Sequence, residues 1–305
     1  MSRTLLSLVA CLLVVGCDDS RPTFRDGGGG GGVDANMISP FVDSGPPGDG
    51  GPGDSLCGSA AEGYVYLVDS SDAFLRFDPA TNVITPLGTL SCATSSSPFS
   101  MAVDRDANAW VLYQDGHIFR VSVTDVSCTA TSFVAGQSGF DVFGMGFVSD
   151  AAGSADETLF VAGGSLLDIS FGAARLGRVD DALALSAVGD LPGWPELTGT
   201  GAAELWGFFP DTSPPSVRQI DKSTGATTRS FPISEISSGS GLGDTAWAFA
   251  FWGGRFYVFY KGDADLTTNV WRLDPADGSV LEVLHESGYR IVGAGVSTCA
   301  PIILI

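Results

Sequence analysis

Only two histidines, His117 and His285, occur in the 305 residues. Neither stands beside a nucleophile motif, so each reads as an exposed or hydrogen-bonded side chain rather than a general base. Cys-x-x-Cys pairs and paired histidines are lacking, which excludes the common zinc arrangements. Gly239-Ser240-Gly241 and Gly136-Gln137-Ser138-Gly139 fall short of the nucleophile-elbow spacing, and no Walker motif occurs. Positive charge is scarce: 15 Lys+Arg face 35 Asp+Glu, for a net charge of −20. Such a surface repels nucleic acid and anionic headgroups. Sustained helical periodicity is missing, and long apolar runs are too. The run from Leu5 to Val15 covers 11 residues, where a membrane-spanning helix needs ~20.

That short run has its own meaning. Arg3 gives a positive start, the apolar core follows, and small Gly16 precedes Cys17. This is the layout of a signal peptide. Val14-Val15-Gly16-Cys17 resembles the lipobox of bacterial lipoproteins. The resemblance implies cleavage before Cys17, acylation of its thiol, and an exported chain held at a membrane of the cell envelope by lipid. The alternatives are an ordinary secretory signal with a chance cysteine or a short buried helix. The polar, glycine-rich chain that follows offers such a helix no partner. Asp18 and Asp19 leave the choice of inner or outer membrane open.

Residues 17–56 contain the six-glycine run Gly27 to Gly32 and a Gly/Pro/Asp stretch from Asp43 to Asp54. Too little apolar surface is present to offset backbone entropy, so a solvated tether with a reach of ~35 Å is expected. The proline and glycine there lack a sustained Gly-X-Y period, which excludes collagen.

From Cys57 to Ile305 the composition changes to short clusters of Tyr, Phe, Trp, Val and Leu between turn residues. These predict an all-β domain. The clusters repeat, beginning at Tyr64, Trp110, Leu159, Leu205 and Phe256, at spacings of 46, 49, 46 and 51 residues. Each is followed by a second strand carrying a basic residue, such as Leu75-Arg76-Phe77-Asp78 and Trp271-Arg272-Leu273-Asp274. Turns such as Asp78-Pro79-Ala80-Thr81-Asn82 lead to a third strand. Small-residue strands lie between units: Phe99–Val103, Phe143–Phe147 and Ala246–Ala250. Four strands per unit at this period is the arithmetic of a β-propeller blade. The repeat resembles those of exported propellers of the kelch, NHL and quinoprotein-like kinds, without the WD dipeptide or a kelch double glycine.

Tyr64 opens what reads as a second strand, and the chain ends in a small-residue strand, Arg290–Val296, that lacks partners of its own. Placing this strand in the first blade gives five blades and a closed ring with no open edge, hence a monomer. Six blades follow instead if the stretch from Asp168 to Trp206 holds another, and a β-sandwich is the further alternative.

With Cys11 in the signal and Cys17 acylated, four cysteines remain, and in an exported chain they are expected to pair. Ring closure brings Cys57 to Cys299, which leaves Cys92 for Cys128. The second pair is less obvious, because Cys92 follows an outer strand whereas Cys128 precedes one.

The candidate ligand-binding residues lie ahead of the inner strands: the acids Asp141, Glu196 and Asp244, placed in loops, with the aromatics Trp194, Trp247 and Tyr289. Carboxyls beside aromatic planes suit a sugar, and the aromatics equally suit blade packing. Asp104, Asp106 and Asn108 have the alternating oxygens of a calcium loop but lack its central glycine and bidentate glutamate. A tight turn is the competing reading, and no cofactor is expected. The composite expectation is a lipid-anchored binding or scaffolding propeller for an unknown protein or glycan. The alternatives are an envelope hydrolase, glycosidase- or lactonase-like, using funnel carboxylates, and a purely structural component.

Overall fold

The structure, a computed structural model, describes residue 57 and residues 63–166, 173–237 and 245–303. Cys17, the signal segment, the tether and Asp244 lie outside the described residues. Twenty strands among the described residues form five four-stranded antiparallel sheets. Blade 1 is β1 (Val65–Asp69), β2 (Ala73–Asp78) and β3 (Val83–Thr89), with β20 (Ile291–Gly295) as its inner strand. Blade 2 is β4 (Pro98–Val103), β5 (Asn108–Tyr113), β6 (Ile118–Ser122) and β7 (Cys128–Ala130). Blade 3 runs β8 (Val142–Ser149), β9 (Glu157–Gly164), β10 (Ala174–Val179) and β11 (Leu185–Leu191). Blade 4 runs β12 (Glu196–Gly199), β13 (Leu205–Phe209), β14 (Ser216–Ile220) and β15 (Thr227–Pro232). Blade 5 runs β16 (Ala246–Trp252), β17 (Arg255–Lys261), β18 (Asn269–Leu273) and β19 (Val280–Leu284).

The inner strands close a ring: β20 packs on β4, β4 on β8, β8 on β12, β12 on β16, and β16 on β20. The five-bladed expectation therefore stands, and so does closure by the chain's last strand, which pairs with β1 at Leu67 opposite Ala294. The six-bladed alternative does not. Residues 174–191 complete blade 3, and residues 196–199 begin blade 4.

Alternation along the second strand of each blade explains the apolar clusters of the repeat. Val65 and Leu67 face blade 5, packing with Ala248, Tyr257 and Phe259, whereas Tyr66 and Val68 face blade 2 and meet Val111 and Phe119. Period-two side chains thus serve two interfaces, so the strand reads as an unbroken apolar run. Each of the five blade-to-blade interfaces holds one such cluster. Burying a side chain such as Leu67 or Phe77 contributes ~1.5–3 kcal/mol. Outer strands have only one packed side or none, and β15 is mostly exposed.

The recurring basic residue and acid have local causes. Arg76 lies 4.5 Å over the Tyr64 ring, and Arg218 lies 5.0 Å over Phe209, which places a cation on an aromatic face. The acids cap turns. Asp78, Asp221 and Asp274 each accept, through Oδ1, the backbone N–H two residues on, at 2.9, 2.9 and 3.0 Å. Part of the large negative charge is therefore turn chemistry.

Both expected disulfides form, with Cα–Cα distances of 5.9 Å for Cys57–Cys299 and 5.2 Å for Cys92–Cys128. The second bridges the outer edges of blades 1 and 2. Those edges interlock: a side chain on Gly88, in β3, would stand 3.3 Å from Val126 in the turn between β6 and β7. The turn of one blade reaches the end of its neighbour's outer strand, which is how the two cysteines come within bonding range.

Candidate functional site

Four inner strands begin at one cavity of about 130 Å³. Its wall is built from Pro98 and Phe99 of β4, Trp194 and Glu196 at the start of β12, and Thr245 to Trp247 at the start of β16. Arg290 and Val292 at the start of β20 complete it, with Gln114 from the hairpin between β5 and β6. It is the mouth of the central channel.

Glu196 is the first residue of inner strand β12, not a loop residue as the sequence suggested. Pro195 and the four-residue Glu-Leu-Thr-Gly strand carry no apolar cluster to announce it. The carboxyl is buried, with 4 % of the residue exposed. Its Oε2 accepts a hydrogen bond from Ser100 Oγ at 2.9 Å, and the backbone N–H of Met145 donates to the same carboxyl. Burial pushes its pKa well above the ordinary glutamate value despite those donors, because desolvation disfavours the anion.

Trp194 is held by a bond from its backbone N–H to Asp211 Oδ2 at 3.1 Å. Its side chain is 7 % exposed, and the indole Nε1–H has no hydrogen-bond acceptor. An unmet buried donor costs ~1–3 kcal/mol and is uncommon in native proteins. Arg290 donates from Nη2 to the Thr245 carbonyl at 2.9 Å and so ties β20 to β16 at the rim.

Of the six candidate residues, Trp194, Glu196 and Trp247 come together here. Asp141 does not line the cavity: its Oδ2 accepts the Leu166 N–H at 3.0 Å, closing the turn after β9. Tyr289 packs with the cluster between blades 1 and 5. Phe99, Gln114, Thr245 and Arg290 escaped the sequence reading. The usable signal was positional, since Thr245 and Arg290 each stand one residue ahead of an inner strand, the same register that exposes the mouth.

A hydrolase of the two-carboxylate kind places its acids ~5–9.5 Å apart. Among the described residues lining the cavity, Glu196 is the one carboxyl. Both histidines are exposed and paired with acids, His117 with Asp115 at 3.2 Å and His285 with Glu282 at 2.8 Å. The Asp104 carboxylate accepts from Asn108 N at 2.8 Å and from Trp110 Nε1 at 2.9 Å. Arg120 stands 3.5 Å away. These partners make it the anchor of the turn into β5. Among the described residues no group of three or more metal-ligating side chains converges.

A half-buried carboxyl lies beside the closing disulfide. Glu157 accepts the Arg105 backbone N–H at 2.8 Å on Oε1 and the Thr298 hydroxyl at 2.8 Å on Oε2. Arg105 in turn donates to Thr298 Oγ1 at 3.1 Å and to Cys57 Sγ at 3.3 Å. Burial raises the Glu157 pKa from 4.5 to about 7, against the pull of those donors. A carboxyl with a raised folded pKa keeps its proton where the unfolded chain has lost it. Its contribution to stability is therefore full below about pH 4.5 and is lost as the pH rises through 7. Glu157→Gln should flatten the pH dependence, sparing on the order of 1–2 kcal/mol of the loss between about pH 5 and 8, with partial exposure discounted. Urea midpoints across that window measure it, and parallel curves for the two proteins would refute the assignment.

No protein-family model matches the chain, and no curated protein does. Solved structures similar to it include TolB from Acinetobacter baumannii, 11 % identical with a TM-score of 0.44 over 73 % of this chain. The chain spans about half of TolB, covering 52 % of its length. A protein of unknown function from Bacteroides caccae is 11 % identical, with a TM-score of 0.38 over 72 % of this chain and 71 % of that one. Kuenenia stuttgartiensis hydrazine synthase is 15 % identical, with a TM-score of 0.39 over 74 % and 64 %. At these scores none of the three bears on ligand or activity.

Proposed function

We propose that this chain is an exported, lipid-anchored binding propeller that takes a ligand at the mouth of its central channel. The observation that carries the reading is the cavity itself, where two tryptophans converge with the buried Glu196 and Thr245. Apolar walls with a few placed polar groups are the usual make-up of a small-molecule site. Two disulfides accord with an oxidising compartment. No helix of the described residues is long and apolar enough to cross a membrane, and the lipobox-like Cys17 supplies the anchor.

The test uses the full mature chain extracted from membranes, screened with a defined fragment library by ligand-observed NMR. Binders should lose their signal with Trp247→Ala and keep it with Trp271→Ala, which lies outside the cavity. A library with no Trp247-dependent binder sinks the reading. Intact mass of the same preparation should show a chain starting at Cys17 and carrying acyl groups, and an unmodified thiol there removes the anchor.

A further inference from the structure

The turn between β4 and β5 carries Arg105, and ring closure sets its guanidinium against the bridge that locks the ring. Nη2 donates to Cys57 Sγ at 3.3 Å, and Nη1 donates to Thr298 Oγ1 at 3.1 Å. Blade 3 holds the arginine in place. Glu157, the first residue of β9, accepts the Arg105 backbone N–H on one carboxyl oxygen and the Thr298 hydroxyl on the other, both at 2.8 Å. Thr298 directly precedes Cys299, so one network orients the cation and the bridge together. The neighbouring Asp104 carboxylate is engaged elsewhere, with Asn108, Trp110 and Arg120.

The two disulfides sit in different surroundings. All four cysteines are partly exposed. Cys92 and Cys128 pack against the apolar cluster between blades 1 and 2, and apolar surroundings hold a thiol in its neutral form. Cys57 has a guanidinium against its sulfur instead. A cation there lowers the pKa of the thiol that bond breakage would create, and a low-pKa thiol is the better leaving group in disulfide exchange. The Cys57–Cys299 bond is therefore set up to break in one direction, by attack at Cys299 and departure of Cys57.

From the Arg105–Cys57 contact and the network that fixes it, we infer that Cys57–Cys299 is a thiol–disulfide exchange site, a reducible latch on the ring whose partner is a dithiol. A thiolate of the dithiol attacks Cys299 Sγ, the S–S bond breaks, and its electron pair leaves on Cys57 Sγ beside the guanidinium. The dithiol's second sulfur, as thiolate, then displaces Cys299 and closes the reagent's own disulfide. Two electrons pass to the protein. One proton of the dithiol ends on Cys299 and the other in the medium, with Cys57 left as thiolate. Main-chain pairing keeps β20 on β1, so the latch opens without taking the last strand from blade 1. The latch follows the end of β20, whereas the channel mouth lies where the inner strands begin, so neither site depends on the other.

The experiment treats the full mature chain at neutral pH with mercaptoethanol, an uncharged monothiol, quenches early with N-ethylmaleimide and locates the adducts by peptide mass spectrometry. The monothiol should sit on Cys299 and the maleimide on Cys57, with this pattern about fivefold or more over the reverse. With dithiothreitol as the dithiol, Cys57–Cys299 should open about tenfold or more faster than Cys92–Cys128. Arg105→Gln should erase the preference for Cys299 and slow opening roughly three- to tenfold. A merely structural arginine gives the opposite sign, because loosening the network exposes the bridge and speeds attack. Arg105→Lys, which restores a cation, should regain part of the selectivity. Should Arg105→Gln not fold, the wild-type adduct pattern decides alone. Equal adducts on the two cysteines, monothiol mainly on Cys57, or a bridge that opens no faster than Cys92–Cys128 overturns the inference.

Discussion

Replacing Cys57 and Cys299 together with serine should lower the unfolding free energy by about 5 kcal/mol. The two residues are 242 apart in sequence, so the cross-link removes the entropy of one very large loop from the unfolded chain. Replacing Cys92 and Cys128, only 36 residues apart, should cost less, about 4 kcal/mol by the same relation. The first loss also falls where the ring closes. Without the bridge, β20 is held to β1 by main-chain hydrogen bonds and by the packing of Ile291 and Ala294, and the Arg105–Cys57 contact goes with it. Urea denaturation of the full chain and both double variants measures the difference, and a melting temperature lower by ~10–20 °C is expected for the first. A loss under about 1 kcal/mol would mean that strand pairing alone closes the ring and that the bridge is incidental.

A single methyl group should be nearly as damaging at Gly144. Inner strands β8 and β12 approach so closely that a Cβ there would stand 2.3 Å from the Pro195 carbonyl oxygen and 2.9 Å from Glu196 Cα. Both atoms are backbone, so relief requires moving one strand of the ring rather than turning a side chain. Gly144→Ala is expected to cost roughly 3 kcal/mol, the upper range for overpacking. Gly63→Ala, where nothing stands within 4 Å of the added methyl, should stay within about 0.5 kcal/mol. The methyl would also press on the Glu196 carboxyl carbon, 3.1 Å away, so ligand affinity at the channel mouth should fall along with stability. Thermal unfolding of the two variants separates the outcomes. An unchanged midpoint for Gly144→Ala would show that β8 and β12 do not meet as described.

The close approach at Gly144 also accounts for which inner strands were legible. Phe99–Val103, Phe143–Phe147 and Ala246–Ala250 announce themselves because small residues alternate with apolar ones that fill the interfaces. β12 is four residues long and begins with a glutamate, so its pattern resembles a loop. Glu196 therefore reads as a loop residue although it opens the strand. The second strands could be read because both of their faces are buried, which makes the side chains at their centres apolar.

The candidate site was half legible for the same reason. Trp194, Glu196 and Trp247 precede or open inner strands, and that register led to the channel mouth. Asp141 shares the register, yet its carboxylate turns to cap the Leu166 N–H, a choice made by local backbone geometry that no spacing encodes. Arg290 and Gln114 come from a strand boundary and a hairpin 176 residues apart in sequence. Only ring closure sets them on one wall.

By itself, the sequence determined the all-β class, the five-unit repeat, closure by the terminal strand and the pairing of Cys57 with Cys299. These follow from periodic burial and from topology, which residue order carries directly. Tertiary structure decided which carboxyls are desolvated, which indole is left without an acceptor, and how near two inner strands come. Those properties depend on what packs from other blades, and a linear pattern holds no record of it.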